Sequence, residues 1–491
     1  MKSKFSKVLS SLLSVVLVIS SFYLLYQVIR LNVLPSKFLF PLTIGVVVLD
    51  AIFILLLIYF SKNVVSKIIC IVLTLFICVA SCMGGYYISK TQNVLSSITN
   101  VAKHAKNTVS VIVKESSSIK NKSQLNGVSV GSLRLNEQGS KKVLKELSSE
   151  GIVLNQTEYD SMTTLLEAFY NGEVDSIIIN ESSRSQILDM EAYSNFDSNT
   201  RVVYQTSYKV KNNDSATSVG DITSKPFNVL ISGSDTRGGF DENGRSDVIM
   251  IATVNPKTHT ILLTSVPRDF YVTTACDAGD GCMQGALDKI THTGIHGTNT
   301  TKRTVEQLLG IEINYTFKVG FDTVTELVDV LGGVDVYVEP GYATTTSEFS
   351  VHEGVNHLNA QQALAFARER YSYTEGDRQR TKNQQQVLMG IVKEATKPSV
   401  ITNYAAIMDT MANTFSTTMS NEEITDLIKY QLNNNPTWKM EQYMVDGTGD
   451  TLMCAELGDA ASVMVPDQST VKMAKDKINA VLAGKSSEDV K

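Results

Sequence analysis

Three long apolar runs occupy the start of the chain, at residues 8–29, 38–60 and 68–88. Each run approaches the roughly 20 residues that a helix needs to cross the hydrocarbon core of a bilayer. The pattern therefore predicts three transmembrane helices within residues 1–90. A cleaved signal peptide is the alternative interpretation of the first run, but that run is long and two further spans follow it, which favours an anchor.

The hydrophobic pattern changes after these runs and predicts a small domain ahead of a larger one. Residues 91–106 are typical of a polar, helical connector. Residues 107–210 alternate β-branched runs with amphipathic segments, which indicates a small α/β accessory domain similar to one lobe of a solute-binding protein. Residues 211–225 are rich in Ser, Thr, Asp and Asn, as linkers tend to be. A larger domain is predicted at 226–485, with a polar tail at 486–491.

The larger domain shows the pattern of a sheet flanked by helices. Strands are predicted at 227–232, 248–254 and 261–266. Helical periodicity predicts helices at 360–368, 377–395, 404–415 and 422–432. The chain is therefore expected to be an α/β protein that is held in the membrane by its N-terminal helices.

Basic residues beside the apolar runs indicate how the chain crosses the membrane, because lysine and arginine are enriched on cytoplasmic flanks. The flanks assigned to the inside carry Lys2, Lys4, Lys7, Lys62 and Lys67, and those assigned to the outside carry Arg30, Lys37 and Lys90. This modest bias predicts a multi-pass protein of the cell membrane with a cytoplasmic N-terminus. Both domains are then expected on the extracytoplasmic side.

Composition restricts the partners of the chain. Of the 491 residues, 43% are hydrophobic, which is enough to build a buried core in each domain. The formal net charge is -6, and the predicted cytoplasmic segments are too short to fold a DNA-reading domain. We therefore expect no nucleic-acid partner.

Six cysteines are divided evenly between the membrane part and the outer part. Those in the third apolar run are typical of small packing residues. Cys276 and Cys282 bracket a short loop and are candidates for a disulfide bond in an oxidising compartment, which the sequence alone leaves open. Zinc binding by this pair is disfavoured, because further cysteine or histidine ligands at suitable spacing are missing from the sequence around it.

Acidic residues stand at the ends of two predicted strands. Asp235 follows the first strand and Asp247 opens the second, so their carboxylates are expected to converge at one edge of the sheet. Two hard oxygen ligands suit Mg²⁺, with Mn²⁺ as an alternative, because such an ion keeps several waters and accepts phosphate oxygens. Each aspartate taken alone is equally typical of a turn or a helix cap.

Arg268 stands just after the third predicted strand of the larger domain. A planar guanidinium at this position can bind phosphate oxygens with two parallel hydrogen bonds. The alternative is a salt bridge with the neighbouring Asp269.

A second group of basic residues lies between residues 366 and 384. Arg368 and Arg370 are two positions apart and would project to one side if this segment is extended. Arg380 and Gln384 are four residues apart and would share one face of a helix that Asp377 can cap. A charge run more often marks a solvated face. Arginines at strand and helix ends with few acidic residues between them nevertheless indicate an anionic ligand such as a diphosphate.

These segments resemble the LytR-CpsA-Psr family of cell-wall enzymes, and most closely its capsule-type CpsA members. The resemblance covers residues 226–432 and rests on the blocks SDTRGG, GRSDVIMI, SVPRDFYV, LDKITHTG, LGGVDVYV, FARERY and GDRQRTKNQQ. It implies an αβα-sandwich catalytic domain that transfers a glycopolymer from a polyprenyl-diphosphate carrier onto peptidoglycan through a phosphodiester bond. The three spans and the small preceding domain also resemble the capsule-type arrangement. Capsular polysaccharide of a Gram-positive surface is thus the expected polymer, and other capsule-assembly membrane proteins are candidate partners.

The resemblance also implies a role for each matching residue. It implies that the metal ligands are Asp235 and Asp247. It implies that the diphosphate contacts are Arg268, Arg368, Arg370 and Arg380, with Lys289 and Gln384 beside them. The residues that it implies for catalysis are Arg268, Asp247 and Asp377, the last as a carboxylate that orients or activates within the arginine cluster.

Two other functions fit the same residues. A membrane sensor would bind polyprenyl diphosphates and regulate capsule synthesis without turnover, and a pyrophosphatase would cleave the carrier when no acceptor is bound. The complete set of aspartates and arginines favours the transferase. His292 and His296 are four residues apart, but glycines interrupt the helix that a metal-binding pair needs, so we interpret them as structural or rim residues.

Overall fold

The computed structural model describes residues 2–60, 63–101, 104–211, 214–234, 242–277, 281–397, 406, 407, 410 and 415–491. The chain divides into two compact units. The first unit comprises Met1–Ser97, Ala395–Ala412 and Ser420–Thr437, and the second comprises Ile98–Glu394, Asn413–Met419 and Trp438–Lys491.

The first unit contains the apolar helices of the N-terminal part. They are α1 (Lys2–Leu31), α2 (Ser36–Leu55), which continues as a π-helical turn (Leu56–Phe60), and α3 (Val64–Val101). Within the part of the chain that the structure describes, these three helices are long and apolar enough to cross a membrane. The prediction of three apolar spans is therefore confirmed by length and composition.

A helix from the C-terminal half also belongs to the first unit. It spans Asn421–Asn434 and begins at a capping box formed by Ser420 and Glu423. Lys37 Nζ donates to the backbone oxygen of Asn433 at 2.6 Å, and Lys429 Nζ donates to Asn32 Oδ1 at 2.9 Å. This helix thus interrupts the predicted range 226–485 and contacts the connection between α1 and α2.

The accessory domain is a five-stranded sheet with helices on both faces. Its strands are β1 (His104–Lys114), β2 (Ser129–Leu133), β3 (Asn155–Tyr159), β4 (Ser176–Asn180) and β5 (Thr200–Lys211), in the order β3-β2-β4-β1-β5. Its helices are α4 (Glu137–Ser149), α5 (Met162–Asn171), α6 (Arg184–Asp189) and α7 (Phe196–Asn199). Side chains alternate along a strand, so Ile177 and Ile179 of β4 join one buried apolar cluster and Ile178 joins the other. The two clusters make this domain a three-layer α/β unit.

The larger domain is built on a six-stranded sheet. Its strands are β6 (Phe227–Ser234), β7 (Ser246–Asn255), β8 (Thr260–Val266), β11 (Tyr315–Gly320), β16 (Phe415–Thr417) and β17 (Lys439–Met444), in the order β16-β11-β6-β7-β8-β17. Smaller two-stranded sheets are formed by β9 (Tyr271–Thr273) with β10 (Leu287–Lys289), β12 (Val334–Val338) with β15 (Gly354–Leu358), β13 (Thr344–Thr345) with β14 (Ser350–Val351), and β18 (Gly447–Cys454) with β19 (Asp459–Pro466).

Helices cover both faces of the six-stranded sheet. They are α8 (Thr298–Leu309), α9 (Phe321–Leu331), α10 (Ala360–Arg368), α11 (Asp377–Ala395) and the last long helix (Gln468–Leu482). One apolar cluster joins strand residues such as Leu230 and Ile251 to Val305 of α8 and Ile478 of the last helix. On the other face Gln385 of α11 donates to backbone oxygens of β8 and β17 at 3.3 and 2.8 Å. The domain is therefore an αβα sandwich, as expected.

Local sequence signals predict several of these elements closely. The helices predicted at 360–368 and 377–395 are confirmed, and the first begins where Asn359 caps the backbone nitrogen of Gln362 at 3.0 Å. The prediction for 404–415 is wrong at its end, because Phe415 opens strand β16 and pairs with Val319. Most of the remainder of that segment lies outside the described residues.

The structure also defines the end of the connector and the state of the cysteine pair. The helical connector prediction holds for the end of α3, but strand β1 begins at His104, before the predicted domain boundary. Cys276 and Cys282 form a disulfide bond, which the sequence left open.

Candidate functional site

The candidate site lies at one end of the six-stranded sheet, where β6 ends, β7 begins and β8 ends. Ser234, the last residue of β6, pairs with Ser246, the first residue of β7. The antiparallel strand β8 ends at Val266, opposite Ile249. Asp247 and Arg268 therefore come to the same edge. Asp235 lies outside the described residues, so its position beside Asp247 stays a prediction.

Asp247 is the centre of a small network of donors. Arg268 Nη1 donates to Asp247 Oδ1 at 2.8 Å, and Thr291 Oγ1 donates to the same oxygen at 3.3 Å. Arg245 Nε lies 3.9 Å from this oxygen. The side chain of Asp247 is only 9% exposed, so these contacts hold its carboxylate, and through it Arg268, in a fixed orientation.

Arg268 also approaches the acidic neighbour that the sequence suggested. Its Nε lies 3.8 Å from Asp269 Oδ2, and Lys289 Nζ lies 3.4 Å from Asp269 Oδ1. Burial disfavours the charged form of Arg268, but the negative charges of Asp247 and Asp269 outweigh burial and raise the pKa of its guanidinium. Arg268 is therefore a permanently charged group in a partly buried position.

One face of helix α11 closes a small cavity over strands β7 and β8. Asp377, Arg380, Thr381 and Gln384 line this cavity together with Asp247. Their spacing of three and four residues places them on the same side of the helix. Asp377 is the first residue of α11 and forms an ion pair with Arg380. The expected sharing of one helix face by Arg380 and Gln384 is confirmed.

Arg380 is held in surroundings that do not neutralise it fully. Burial lowers the pKa of its guanidinium, Asp377 opposes this effect, and the positive charges of Arg268 and Arg370 lower the pKa further. Within the described part of the chain, the buried Nε atoms of Arg380 and Arg268 have no hydrogen-bond partner. An anion that reached these arginines would meet unsatisfied donors and excess positive charge.

The remaining predicted basic residues lie at different distances from this centre. Arg268, Lys289 and Arg370 line a second, larger cavity of about 870 Å³. Arg370 Nη2 donates to the hydroxyl of Tyr371 at 2.5 Å, and its guanidinium lies 4.6 Å from the centre of that ring. Arg368 is the last residue of helix α10, has an exposed side chain and lines neither cavity.

Two residues of the site were missed by the sequence reading. Arg245 directly precedes strand β7, and its Nε lies 3.9 Å from Asp247 Oδ1. Asp288, which is 3% exposed, accepts from the backbone nitrogen of Lys289 and contacts His292 Nδ1, both at 2.7 Å. Burial acts to raise the pKa of Asp288, but these partners outweigh it and the pKa is lowered.

Asp288 and its partners hold the segment that carries Lys289. The carboxylate also accepts from the backbone nitrogen of Glu456 at 2.7 Å, and His296 Nε2 contacts Glu456 Oε2 at 2.9 Å. His292 is buried in this arrangement. The interpretation of the two histidines as structural or rim residues is consistent with these contacts.

The described residues offer one carboxylate oxygen to a divalent cation. All hydrogen bonds and ion pairs that the described residues make with Asp247 fall on its Oδ1 atom. Its second oxygen has the chemistry that Mg²⁺ or Mn²⁺ prefers. The donor set therefore fits a metal that completes its coordination with waters and phosphate oxygens, and Asp235 remains the predicted second protein ligand.

A family model and several proteins of known name are similar to this chain. The model of the LytR_cpsA_psr family matches residues 192–480. Polyisoprenyl-teichoic acid--peptidoglycan teichoic acid transferase TagU from Bacillus cereus (strain AH820) is 31% identical over 241 residues, which are 48% of this chain and 76% of that protein. The protein of the same name from Bacillus subtilis (strain 168) is 32% identical over 226 residues, which are 46% of this chain and 70% of that protein.

Solved structures are also similar to part of the chain. The crystal structure of B. subtilis TagU aligns with 28% sequence identity and a TM-score of 0.41, over 52% of this chain and 97% of that chain. The structure of protein gbs0355 from Streptococcus agalactiae aligns with 24% identity and a TM-score of 0.47, over 55% of this chain and 92% of that chain. Because the family model matches more than half of its residues, the chain belongs to the LytR_cpsA_psr family.

Proposed function

We propose that the chain is a phosphotransferase that moves a glycopolymer from a polyprenyl-diphosphate carrier onto peptidoglycan. The relatives named as transferases of polyisoprenyl-linked teichoic acid to peptidoglycan support this reaction class. Capsular polysaccharide is the polymer we propose for this chain, because three apolar helices and an accessory domain precede the catalytic domain as in the capsule-type arrangement.

The observation that carries the proposal is that two partly buried arginines have unused hydrogen-bond donors and that one of them, Arg380, is incompletely neutralised. Arg268 and Arg380 are partly buried, and the Nε atom of each has no hydrogen-bond partner among the described residues. Arg370 adds positive charge nearby and lowers the pKa of Arg380. A diphosphate supplies several oxygens and negative charge in one group, so it would satisfy donors that an apolar or neutral ligand would leave unpaired.

The reaction follows from the chemistry of that ligand. A sugar hydroxyl of peptidoglycan, by family resemblance on N-acetylmuramic acid, attacks the phosphorus that carries the polymer. A new phosphorus–oxygen bond forms, the bond from that phosphorus to the bridging oxygen breaks, and polyprenyl phosphate leaves. The hydroxyl proton passes to a general base. Catalysis in such a transfer depends mainly on positioning and on stabilising charge on the phosphate oxygens.

Carboxylates of the site act on the arginines. Asp247 fixes Arg268 through the 2.8 Å hydrogen bond to Nη1, and Asp377 orients Arg380 from the first turn of α11. Lys289 is placed beside the cluster by β10 and by its neighbour Asp288. In this proposal the arginines and Lys289 bind the diphosphate, and the carboxylates keep the basic side chains in position.

A divalent metal would complete the site in this proposal. Asp247 and the predicted ligand Asp235 would hold Mg²⁺, or Mn²⁺ in its place. A metal bound there supplies positive charge to the diphosphate oxygens.

The membrane helices suit a carrier that stays in the bilayer. We propose that the protein resides in the cell membrane with its N-terminus in the cytoplasm and its catalytic domain outside. This orientation rests on the distribution of lysine and arginine beside the apolar runs, and it places the site on the same side as peptidoglycan.

The proposal is tested with the full chain in lipid nanodiscs, a polyprenyl-diphosphate oligosaccharide and peptidoglycan fragments. We expect transfer that stops with chelator, returns with Mg²⁺ and falls at least 100-fold in Asp247→Ala, since this variant loses the partner of Arg268. Asp329→Ala, which removes an exposed carboxylate of α9, is the matched control and should keep wild-type activity.

The same assay separates the alternatives. A sensor would bind the lipid without turnover, and Asp247→Ala would leave that binding largely intact. A pyrophosphatase would cleave the carrier at the same rate with and without acceptor. Either result would reject the transferase proposal.

A further inference from the structure

The large cavity beside the arginine cluster lies between the two domains of the second unit. We call this space of about 870 Å³ the interdomain cavity. Its catalytic wall carries four basic residues and two acidic ones, namely Arg245, Arg268, Lys289, Arg370, Asp269 and Asp459. The basic side chains outnumber the carboxylates, so this wall is suited to phosphate.

The opposite wall of the interdomain cavity comes from the accessory domain. It carries Glu167 of α5, Gln186 and Asp189 of α6, and Tyr193 of the turn that follows. Carboxylate, amide and aromatic groups replace the basic residues of the catalytic wall. Glu191 adds a further carboxylate to this wall. The cavity therefore has one wall on which basic residues are in excess and one wall that carries only carboxylates and neutral groups.

Direct contacts join the two walls. Thr163 Oγ1 of α5 donates to the backbone oxygen of Leu457 in the catalytic domain at 3.0 Å. Asp189 forms an ion pair with Arg245, whose Nε lies 3.9 Å from Asp247 Oδ1. The accessory wall is thus connected through one arginine to the carboxylate that holds Arg268.

Gln186 is a polar group on this wall whose hydrogen-bonding capacity is not used. Its side chain lines the cavity and is 2% exposed. Among the described residues, neither its amide nitrogen nor its amide oxygen has a hydrogen-bond partner. A buried carboxamide of this kind can donate to one sugar oxygen and accept from a neighbouring hydroxyl or amide. A ligand with paired hydroxyl or acetamido groups would satisfy it.

Tyr193 adds a flat aromatic surface to the same wall. Its ring stacks on Tyr170, with ring centres 5.4 Å apart and an angle of 22° between the planes. Burial and the negative charges of Glu167 and Asp459 raise the pKa of Tyr193. An aromatic ring that lies among carboxylates suits a ligand with an apolar ring face and hydroxyls at its edge.

We infer that the accessory wall is a sugar subsite, which binds an uncharged, hydroxyl-rich sugar while the catalytic wall holds phosphate. This inference rests on the proposed function, because the sugar is bound next to a diphosphate. The carboxylates Glu167 and Asp189 disfavour a sugar that is itself anionic. The subsite residues before position 192 precede the range that the family model matches, so most of this wall lies outside the matched range.

The subsite is tested by calorimetric binding to the full chain in detergent micelles. The probes are geranyl diphosphate, geranyl diphosphate that carries an N-acetylglucosamine disaccharide, and a soluble disaccharide of N-acetylglucosamine and N-acetylmuramic acid whose lactyl carboxyl is blocked as an amide, so that every sugar is uncharged. We expect Gln186→Leu to weaken binding of a sugar-bearing probe about tenfold and to leave bare geranyl diphosphate unchanged. Gln138→Leu, which changes an exposed glutamine of α4, is the control and should bind all probes normally.

The arms of this experiment identify the source of the sugar. Loss confined to the diphosphate-linked disaccharide assigns the subsite to the donor polymer, and loss confined to the soluble disaccharide assigns it to the acceptor. Unchanged binding of both sugars by a folded Gln186→Leu would overturn the inference. If bare geranyl diphosphate fails to bind the wild-type chain, the proposed function is wrong instead.

A second variant keeps the inference testable if Gln186→Leu does not fold. Glu167→Gln removes one charge from the accessory wall at nearly constant shape. We expect it to bind a diphosphate-linked disaccharide that contains glucuronate about fivefold more tightly than wild type. No gain in affinity for the glucuronate probe would contradict the assigned role of this wall.

Discussion

The variant Arg380→Met is expected to weaken diphosphate binding without destabilising the free protein. Arg380 is 13% exposed, and burial together with Arg268 and Arg370 lowers the pKa of its guanidinium despite the ion pair with Asp377. Its charged form is therefore maintained at a cost in the absence of ligand. Methionine keeps much of the side-chain length and removes that cost.

The expected changes in binding and stability differ in size. A hydrogen bond from a charged donor contributes about 1.5–3 kcal/mol, which corresponds to a loss of affinity of roughly 10- to 150-fold. The ion pair that is lost involves Asp377, whose side chain is 29% exposed, so solvent screens it and its contribution is about 0–1 kcal/mol. Removal of the buried positive charge offsets that loss. The stability of the free protein should therefore change by less than about 1 kcal/mol.

Two measurements on the full chain in detergent micelles test this expectation. Calorimetry gives the dissociation constant of geranyl diphosphate, and thermal unfolding without ligand gives the stability. Arg378→Met is the matched control, because Arg378 lies on the same helix, is 44% exposed and forms a 2.8 Å ion pair with Asp446 outside the small cavity. This variant should bind geranyl diphosphate as wild type does.

A much lower unfolding temperature of Arg380→Met than of wild type would contradict this expectation, since Arg380 would then be a structural residue. An equal loss of affinity in Arg378→Met and Arg380→Met would contradict it as well. In that case net surface charge, rather than the geometry of the site, would determine binding.

Three further outcomes follow from the structure. Gly294→Ala should lower stability by about 1–3 kcal/mol and disturb the site, because a Cβ there would lie 2.5 Å from backbone atoms just before Asp247. Activity and thermal unfolding of this variant are compared with those of Gly449→Ala, where a Cβ has open space. Burial raises the pKa of Asp214 to about 6, so the folded state binds this proton more tightly than the unfolded state, and the resulting stability is lost as pH rises through 6. Asp214→Asn should therefore stabilise the protein at pH 8 by up to about 3 kcal/mol and give no gain below pH 4, as thermal unfolding at the two pH values would show. Reduction of the disulfide that closes a loop with a sequence separation of 6 should cost about 2 kcal/mol, measured by unfolding with and without reductant, and a variant with both cysteines changed to alanine should not respond to reductant.

Much of the fold was predictable because its signals are local. Helix α10 begins at the capping box of Asn359 and Gln362, and helix α11 follows a positive-φ glycine at Gly376. Alternating apolar residues likewise predicted strands β6, β7 and β8. The association of the helix Asn421–Asn434 with the N-terminal helices depends on contacts between residues almost 400 positions apart, and periodicity carries no information on such pairing.

Residues of the site were likewise predictable where local signals place them and unpredictable where distant contacts do. Asp247, Arg268, Asp377, Arg380 and Gln384 were recognised from strand ends and helix spacing, and the structure places all of them around one small cavity. Arg245 was not predicted as a site residue, because its position depends on contacts between segments that are far apart in the sequence. Arg245 forms ion pairs with Asp189 of the accessory domain and with Asp247. Neither contact can be inferred from sequence spacing alone.

The most direct test of the proposed reaction follows each phosphorus atom of the donor separately. Two polyprenyl-diphosphate oligosaccharides are prepared, one labelled with ³²P on the phosphate next to the sugar and the other on the phosphate next to the lipid, and each is incubated with the full chain, Mg²⁺ and peptidoglycan. The proposal requires the sugar-side label to appear in peptidoglycan and the lipid-side label to leave as polyprenyl phosphate. If the sugar-side label instead stays on the released oligosaccharide or appears as inorganic phosphate, or if neither label leaves the lipid, the chain is not the transferase proposed.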